Sequence, residues 1–186
     1  MRIFVLIAST LLLVSCASTT RYAATSDSTA RVRLVAQGVG NGYFAIPLEL
    51  KCSAKLSNPL DDGDQLIAGI HGVPTYSPKI GSKRVIGMPG ATDHPEWTFV
   101  ELNMDASRDT YLRTAAVIQG HFLTPYEVGS CSFLTSITFE PNKDYEILFS
   151  FERKFCAVSF YELQSLNKEI VRREVKPTTG PKSCKS

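Results

Sequence analysis

The feature that most constrains the fold of this 186-residue chain is an alternation of apolar residues in its last third. Apolar side chains recur at every second or fourth position on either side of a turn at residues 141–144: Cys131, Phe133, Ile137 and Phe139 before it, and Tyr145, Ile147, Phe149 and Phe151 after it. Side chains along a strand point to opposite faces in turn. The pattern therefore predicts two strands whose apolar faces meet in a core.

Similar alternation predicts strands over most of the remaining chain, at residues 31–34, 43–50, 66–70, 83–88, 96–103, 112–119, 155–163 and 169–175. The last of these also fits a helix, but strand is favoured because it would pair back on 155–163. Asn41-Gly42 predicts a hairpin turn between the first two strands, and 133–163 a three-stranded meander. No window has sustained helical periodicity. The sequence thus predicts an all-β, antiparallel β-sandwich, immunoglobulin-like or transthyretin-like.

The N-terminus carries an export signal. Residues 3–14 are almost wholly apolar but too short to cross about 30 Å of hydrocarbon as a helix. They suit a secretory signal, and the run ends in Leu13-Val14-Ser15-Cys16, which looks like a bacterial lipobox. We expect cleavage before Cys16 and acylation of that residue, and two or more acyl chains of palmitate type hold a protein stably in a bilayer.

The composition divides the chain into four parts. Residues 1–15 are the expected lipoprotein signal peptide, and residues 16–29 comprise the lipidated cysteine and a flexible tether rich in Ser, Thr and Ala. Residues 30–176 are the expected β-sandwich domain, and 177–186 a C-terminal tail. Ala17 after the acylated residue favours sorting to the outer membrane, with the domain facing the periplasm.

Four further cysteines remain: Cys52, Cys131, Cys156 and Cys184. An even number in an exported domain predicts two disulfides with three possible connectivities. In a simple meander, the first and third strands lie about 9.5 Å apart, whereas a disulfide needs Cα atoms within roughly 7 Å. That geometry disfavours Cys131–Cys156 and favours Cys52–Cys131 with Cys156–Cys184. The wide spacing excludes a typical zinc site.

Candidate catalytic or metal-binding residues are few. The three histidines are His71, His94 and His121, and Asp93-His94-Pro95-Glu96 combines carboxylates with an imidazole in one turn. Asp61-Asp62-Gly63-Asp64 fails as an EF-hand because its twelfth position is Gly72. No nucleophile or metalloprotease motif occurs. We expect no enzyme, cofactor or metal site; the alternative is a periplasmic hydrolase or metal-dependent enzyme assembled from Asp93, His94 and His121.

Several short motifs resemble those of a group of uncharacterised Gram-negative lipoproteins of the outer-membrane type. They are Cys16, Arg31-Val32-Arg33, Gly87-Met88-Pro89, Cys131, Phe139-Glu140-Pro141, Asp144-Tyr145-Glu146, and Cys156-Ala157-Val158 through Glu162-Leu163. The resemblance covers most of the mature chain and is most specific over 131–163. It implies a small all-β domain at the outer membrane and transfers no activity.

The expected function is therefore that of a lipid-anchored binding or structural module. A formal net charge of +2 argues against a nucleic-acid partner. The expected partners are the membrane, through the anchor, and an envelope protein or peptidoglycan. The contact surfaces would be edge strands and the long loop from Pro74 to Pro89, whose Lys79, Lys83 and Arg84 suit lipopolysaccharide or another anionic glycan.

Overall fold

A computed structural model of the chain describes residues 22–38, 40–47, 64–72, 78–81, 83–95, 97–119, 127–152 and 155–183. Eleven strands follow one another: β1 Thr29–Gly38, β2 Asn41–Ile46, β3 Gln65–His71, β4 Lys79–Ile80, β5 Phe99–Asp105, β6 Asp109–Gln119, β7 Glu127–Thr138, β8 Asp144–Glu152, β9 Phe155–Leu166, β10 Glu169–Glu174 and β11 Thr179–Ser183. One 3-10 turn lies at Ala91–Asp93. The all-β prediction is confirmed for these residues, none of which forms a helix long and apolar enough to cross a membrane.

The strands form two sheets. The five-stranded sheet has the order β10-β9-β8-β1-β5, and the six-stranded sheet has the order β11-β7-β6-β2-β3-β4. All pairs are antiparallel except β1 with β8, which run parallel. Because β1 lies between β5 and β8, its residues have partners on both sides, and Arg33 stands opposite both Glu101 and Glu146.

The predicted core is confirmed. Apolar residues of both sheets belong to one buried cluster, including Leu34 and Phe149 from the five-stranded sheet and Phe44, Leu112 and Ile137 from the six-stranded sheet. The rings of Phe44 and Phe149 meet edge to face, with centroids 6.0 Å apart. Such aromatic and β-branched burial is the main stabilising contribution that the alternating pattern provides.

The predicted hairpin at Asn41-Gly42 is wrong. Both residues lie inside β2, which pairs with β3 and β6, while β1 belongs to the other sheet. The chain changes sheets near Gly38, whose φ is +134°. A Cβ at Gly38 would lie 1.6 Å from the carbonyl oxygen of Phe151. Glycine is therefore required here for close strand approach at the crossing between sheets.

The predicted disulfide pairing is also wrong. Cys131 and Cys156 are bonded to each other, with their Cα atoms 6.4 Å apart. The pairing was predicted from a meander of three neighbouring strands. Of these, β8 and β9 do form a hairpin, but β7 lies in the opposite sheet. Cys131 and Cys156 both pack against the shared core, so they face each other between sheets instead of across an intervening strand. Cys52 and Cys184 lie outside the described residues.

Three smaller differences concern segments at the edges of the sheets. Residues 83–88, predicted as a strand, form a loop without strand pairing. Part of the predicted C-terminal tail forms β11, which pairs with β7. Residues 22–28, assigned to the predicted tether, pack against the end of β5, and Tyr22 there is only 9% exposed.

Candidate functional site

A buried cluster of charged side chains lies on the face of the five-stranded sheet opposite the core. Arg33 alternates along β1 with the core residues Val32 and Leu34, so its side chain points away from the core. A charged residue in such an alternation usually faces solvent, yet Arg33 is 0% exposed. Residues 83–95, which we call the covering loop, lie over this part of the sheet and bury Arg33.

The guanidinium of Arg33 is held by three elements. It donates to Glu101 Oε1 on β5 from Nε and Nη2, at 3.0 and 2.8 Å, and to Glu146 Oε2 on β8 at 3.2 Å. It also donates to the main-chain oxygens of Met88 and Pro89 in the covering loop, at 3.1 and 2.7 Å. Its Cζ lies 5.5 Å from the centroid of the Phe99 ring. A planar fork of donors suits this arrangement better than an ammonium group.

Glu101 fixes the covering loop from the other side. Its Oε2 accepts three successive backbone N–H groups, from Ile86, Gly87 and Met88, at 2.8, 3.0 and 3.1 Å. Gly87 has φ +80°, a conformation that favours glycine and turns these amides toward one point. The Gly87-Met88-Pro89 motif is thus the segment through which the covering loop binds Arg33 and Glu101.

Glu146 joins the cluster to the sheet edge. Its Oε1 accepts from Arg172 Nε on β10 at 2.8 Å, and its Oε2 lies 2.9 Å from His94 Nε2. Burial alone raises the pKa of Glu146, but the hydrogen bonds and charges of His94 and Arg172 prevail and lower it to about 2. Glu146 is therefore ionised throughout the physiological range.

A carboxylate outside this cluster, that of Asp105, holds the N-terminal segment at residues 22–28. It accepts backbone N–H groups from Thr25 and Ser26, at 2.9 and 2.8 Å, and a hydrogen bond from Arg108. Burial raises the pKa of Asp105, but these hydrogen bonds outweigh it and the net pKa is lowered. The backbone N–H of Asp105 donates to the hydroxyl of Tyr22 at 3.2 Å.

The structure brings together only some of the residues predicted as catalytic or metal-binding candidates. His94 contacts Glu146, and Asp93 Oδ2 lies 3.7 Å from Arg172. His71 lies exposed at the end of β3, and Asp64 pairs with Arg113. The described residues contain no group of three or more His, Cys, Asp or Glu placed to hold a metal ion. Cys16, His121, Asp61 and Asp62 lie outside the described residues.

Four members of the cluster are not among the residues predicted from the sequence as site residues: Arg33, Glu101, Glu146 and Arg172. A signal was present, because Arg33 and Glu146 stand within two of the resembling motifs and Glu101 alternates with the apolar residues of β5. The pairing of the strands was needed to put all of them on one face.

The outer side of the covering loop carries apolar side chains in contact with solvent. Val85 is 46% exposed and Ile86 is 37% exposed, and Trp97, just before β5, is 44% exposed. Lys79 and Lys83 are also exposed, and Arg84 is half-buried. The backbone of Arg84 is held to β5 by the hydrogen bond from Glu101 N to Arg84 O, at 2.8 Å.

No protein-family model, curated protein or solved structure matches the chain. Each carboxylate of the cluster already accepts several strong hydrogen bonds, and His94 Nε2 is engaged by Glu146. The arrangement holds a surface loop in a fixed shape.

Proposed function

We propose that the chain is a lipid-anchored lipoprotein of the bacterial outer membrane, facing the periplasm, that acts as a non-enzymatic binding or structural module. The lipobox at Cys16 supports the anchor. The observation that carries the binding role is the covering loop: a buried Arg33–Glu101–Glu146 cluster fixes its backbone while Val85 and Ile86 project into solvent.

The protonation chemistry of the cluster supports binding over catalysis. A general acid or base works best with a pKa near the operating pH, whereas the pKa of Glu146 is about 2. In an enzyme built around Asp93, His94 and His121, His94 Nε2 would stay bonded to Glu146, at 2.9 Å, and proton transfer would fall to its other ring nitrogen.

The proposed contact surface is the outer side of the covering loop. Exposed aliphatic side chains beside basic ones suit a partner with both apolar and anionic groups, and a rigid backbone lowers the entropy cost of binding. The proposed partner is an envelope protein or the anionic parts of peptidoglycan.

The finer architecture belongs to the same proposal. We propose that the two sheets form a β-sandwich of immunoglobulin-like or transthyretin-like type, with a second disulfide. Since Cys131 bonds to Cys156, the second bond would join Cys52 to Cys184. Peptide mapping without reduction tests this pairing; free thiols at both positions in periplasmic material would refute it.

In-cell photo-crosslinking tests the binding role. A photo-crosslinking residue replaces Val85 in the full-length protein, and a matched control replaces Glu169, which is exposed on β10 at the sheet edge. We expect Val85 to yield reproducible adducts with an envelope protein or glycan that the control lacks. Identical adduct patterns at the two positions, or none at either, would argue against this surface.

A further inference from the structure

The N-terminal segment is fixed to one end of the five-stranded sheet. Tyr22 belongs to the core cluster, and its hydroxyl accepts from the N–H of Asp105. Thr25 and Ser26 donate to the Asp105 carboxylate, and the N–H of Ala106 donates to the main-chain oxygen of Ser28 at 2.9 Å. Tyr22, the first described residue, is therefore already packed against the domain.

Several turns lie at the same end of the sheets. Thr29 pairs with Asp105 and Arg31 with Asp144, while the N–H of Ser107 donates to the main-chain oxygen of Phe139. Asp144 pairs in turn with Leu163, shortly before the β9–β10 turn. We call this surface the Asp105 end; it comprises residues 105–109, 140–143 and 166–168.

The opposite end of β5 is defined by Trp97. The backbone N–H of Ile80 donates to the main-chain oxygen of Trp97, which places β4 beside it. Trp97 lies two residues before Phe99, the first residue of β5, and the six residue steps from Phe99 to Asp105 span about 20 Å at a rise of about 3.4 Å per residue. Lys79 in β4 is exposed at this Trp97 end.

The distance from the anchor to the domain is short. Six residue steps connect Cys16 to Tyr22, and fully extended chain covers at most about 3.4 Å per step, or about 20 Å. That reach is about the length of β5, whose six residue steps from Phe99 to Asp105 also span about 20 Å. A lipid on Cys16 therefore lies nearer to the Asp105 end than to the Trp97 end in any conformation of the tether that does not pass back along the domain.

We propose that the Asp105 end is the surface that faces the lipid headgroups, so that the Trp97 end points away from the bilayer. The inference rests on the proposed lipidation of Cys16. The exposed side chains at this end suit a headgroup layer, since Arg108 is 60% exposed and Leu166 is 52% exposed. Polar groups remain hydrated there, while a single leucine enters the boundary.

Photo-crosslinking to lipid tests the orientation. Benzoylphenylalanine replaces Glu140 at the Asp105 end or Lys79 at the Trp97 end of the full-length protein, and adducts with membrane lipid are counted by mass spectrometry. We expect adducts at Glu140 in several-fold excess over Lys79. Equal yields at the two positions, or none at either, in protein shown to be lipidated would overturn the proposal.

Two variants separate the causes. A Gly/Ser insertion of about 20 residues before Tyr22 adds an end-to-end distance of about 25 Å, and we expect it to reduce the excess at Glu140. An unchanged excess would show that something other than the tether orients the domain. Cys16→Ser tests lipidation itself: retained membrane association and normal maturation would refute the anchor, an outcome distinct from loss of orientation.

Discussion

Two buried carboxylates on β5 hold neighbouring segments in the same way, but their arginine partners differ in exposure. Glu101 and Asp105 each accept backbone N–H groups from a segment that has no strand pairing of its own, the covering loop in one case and residues 22–28 in the other. Their arginine partners differ: Arg33 is 0% exposed, whereas the side chain of Arg108 is 60% exposed. The same interaction thus operates with a buried cation at Glu101 and with a solvated cation at Asp105.

The difference determines how much each interaction matters when it is broken. Removing one partner of a buried pair leaves an uncompensated charge, at a cost of several kcal/mol. Removing the exposed partner of a half-solvated pair lets water take its place, at a cost near 0–1 kcal/mol. We therefore expect the covering loop to depend on every member of its cluster and the N-terminal segment to tolerate the loss of one.

The largest expected effect is that of Arg33→Ala. It leaves Glu101 and Glu146 buried without their shared cation, and we expect a loss of about 3–5 kcal/mol in the free energy of unfolding. Arg31→Ala is the matched control on the same strand and face, because Arg31 is 44% exposed in its pair with Asp144 and should lose about 0–1 kcal/mol.

Urea unfolding of both variants checks this contrast. If Arg33→Ala does not fold, Arg33→Lys provides a second measurement: it keeps the charge but loses the donor fork, so we expect a smaller but clear loss. Similar small losses for Arg33→Ala and Arg31→Ala would show that burial does not distinguish the two arginines.

Acid should destabilise the buried cluster next most strongly. The pKa of Glu146 is lowered from 4.5 to about 2 in the folded state, so its stabilising contribution is present above about 4.5 and is lost as the pH falls toward 2. We expect Glu146→Gln to be less stable at neutral pH and to show a flatter decline over this window. A parallel decline in both proteins would contradict the assignment.

The comparison of Arg31 with Arg33 also shows what the sequence can predict. The alternation Arg31-Val32-Arg33-Leu34 correctly predicts a strand and the face of each residue. Burial of Arg33 depends on a covering loop more than fifty residues later in the chain, and local pattern contains no information about that contact. Cys131 and Cys156 illustrate the same limit: the strands were predicted, but the sheet to which β7 belongs depends on long-range pairing.

Neutralising each β5 carboxylate in turn tests whether the two carboxylates hold their segments independently. Glu101→Gln keeps the shape but weakens charged hydrogen bonds to Arg33 and the loop amides, and we expect a loss of about 1.5–3 kcal/mol. Asp105→Asn should cost less, about 1 kcal/mol, because its cationic partner Arg108 is largely solvated although Asp105 itself is buried. Amide hydrogen exchange locates each effect. We expect faster exchange at Ile86, Gly87 and Met88 in Glu101→Gln. In Asp105→Asn we expect faster exchange at Thr25 and Ser26. Exchange that rises at both segments in either variant would mean that they are coupled.

The smallest expected effect is that of Arg108→Ala. Asp105 keeps the N–H groups of Thr25 and Ser26 and the Thr25 hydroxyl, which donates at 3.0 Å, so the carboxylate stays satisfied after the guanidinium is removed. Because the arginine side chain is largely solvated, we expect a loss of about 0–1 kcal/mol by urea unfolding. A loss approaching that of Arg33→Ala would mean that the Asp105 end excludes water as fully as the covered face does. The exposure of the two arginines would then not explain why Glu101 and Asp105 differ.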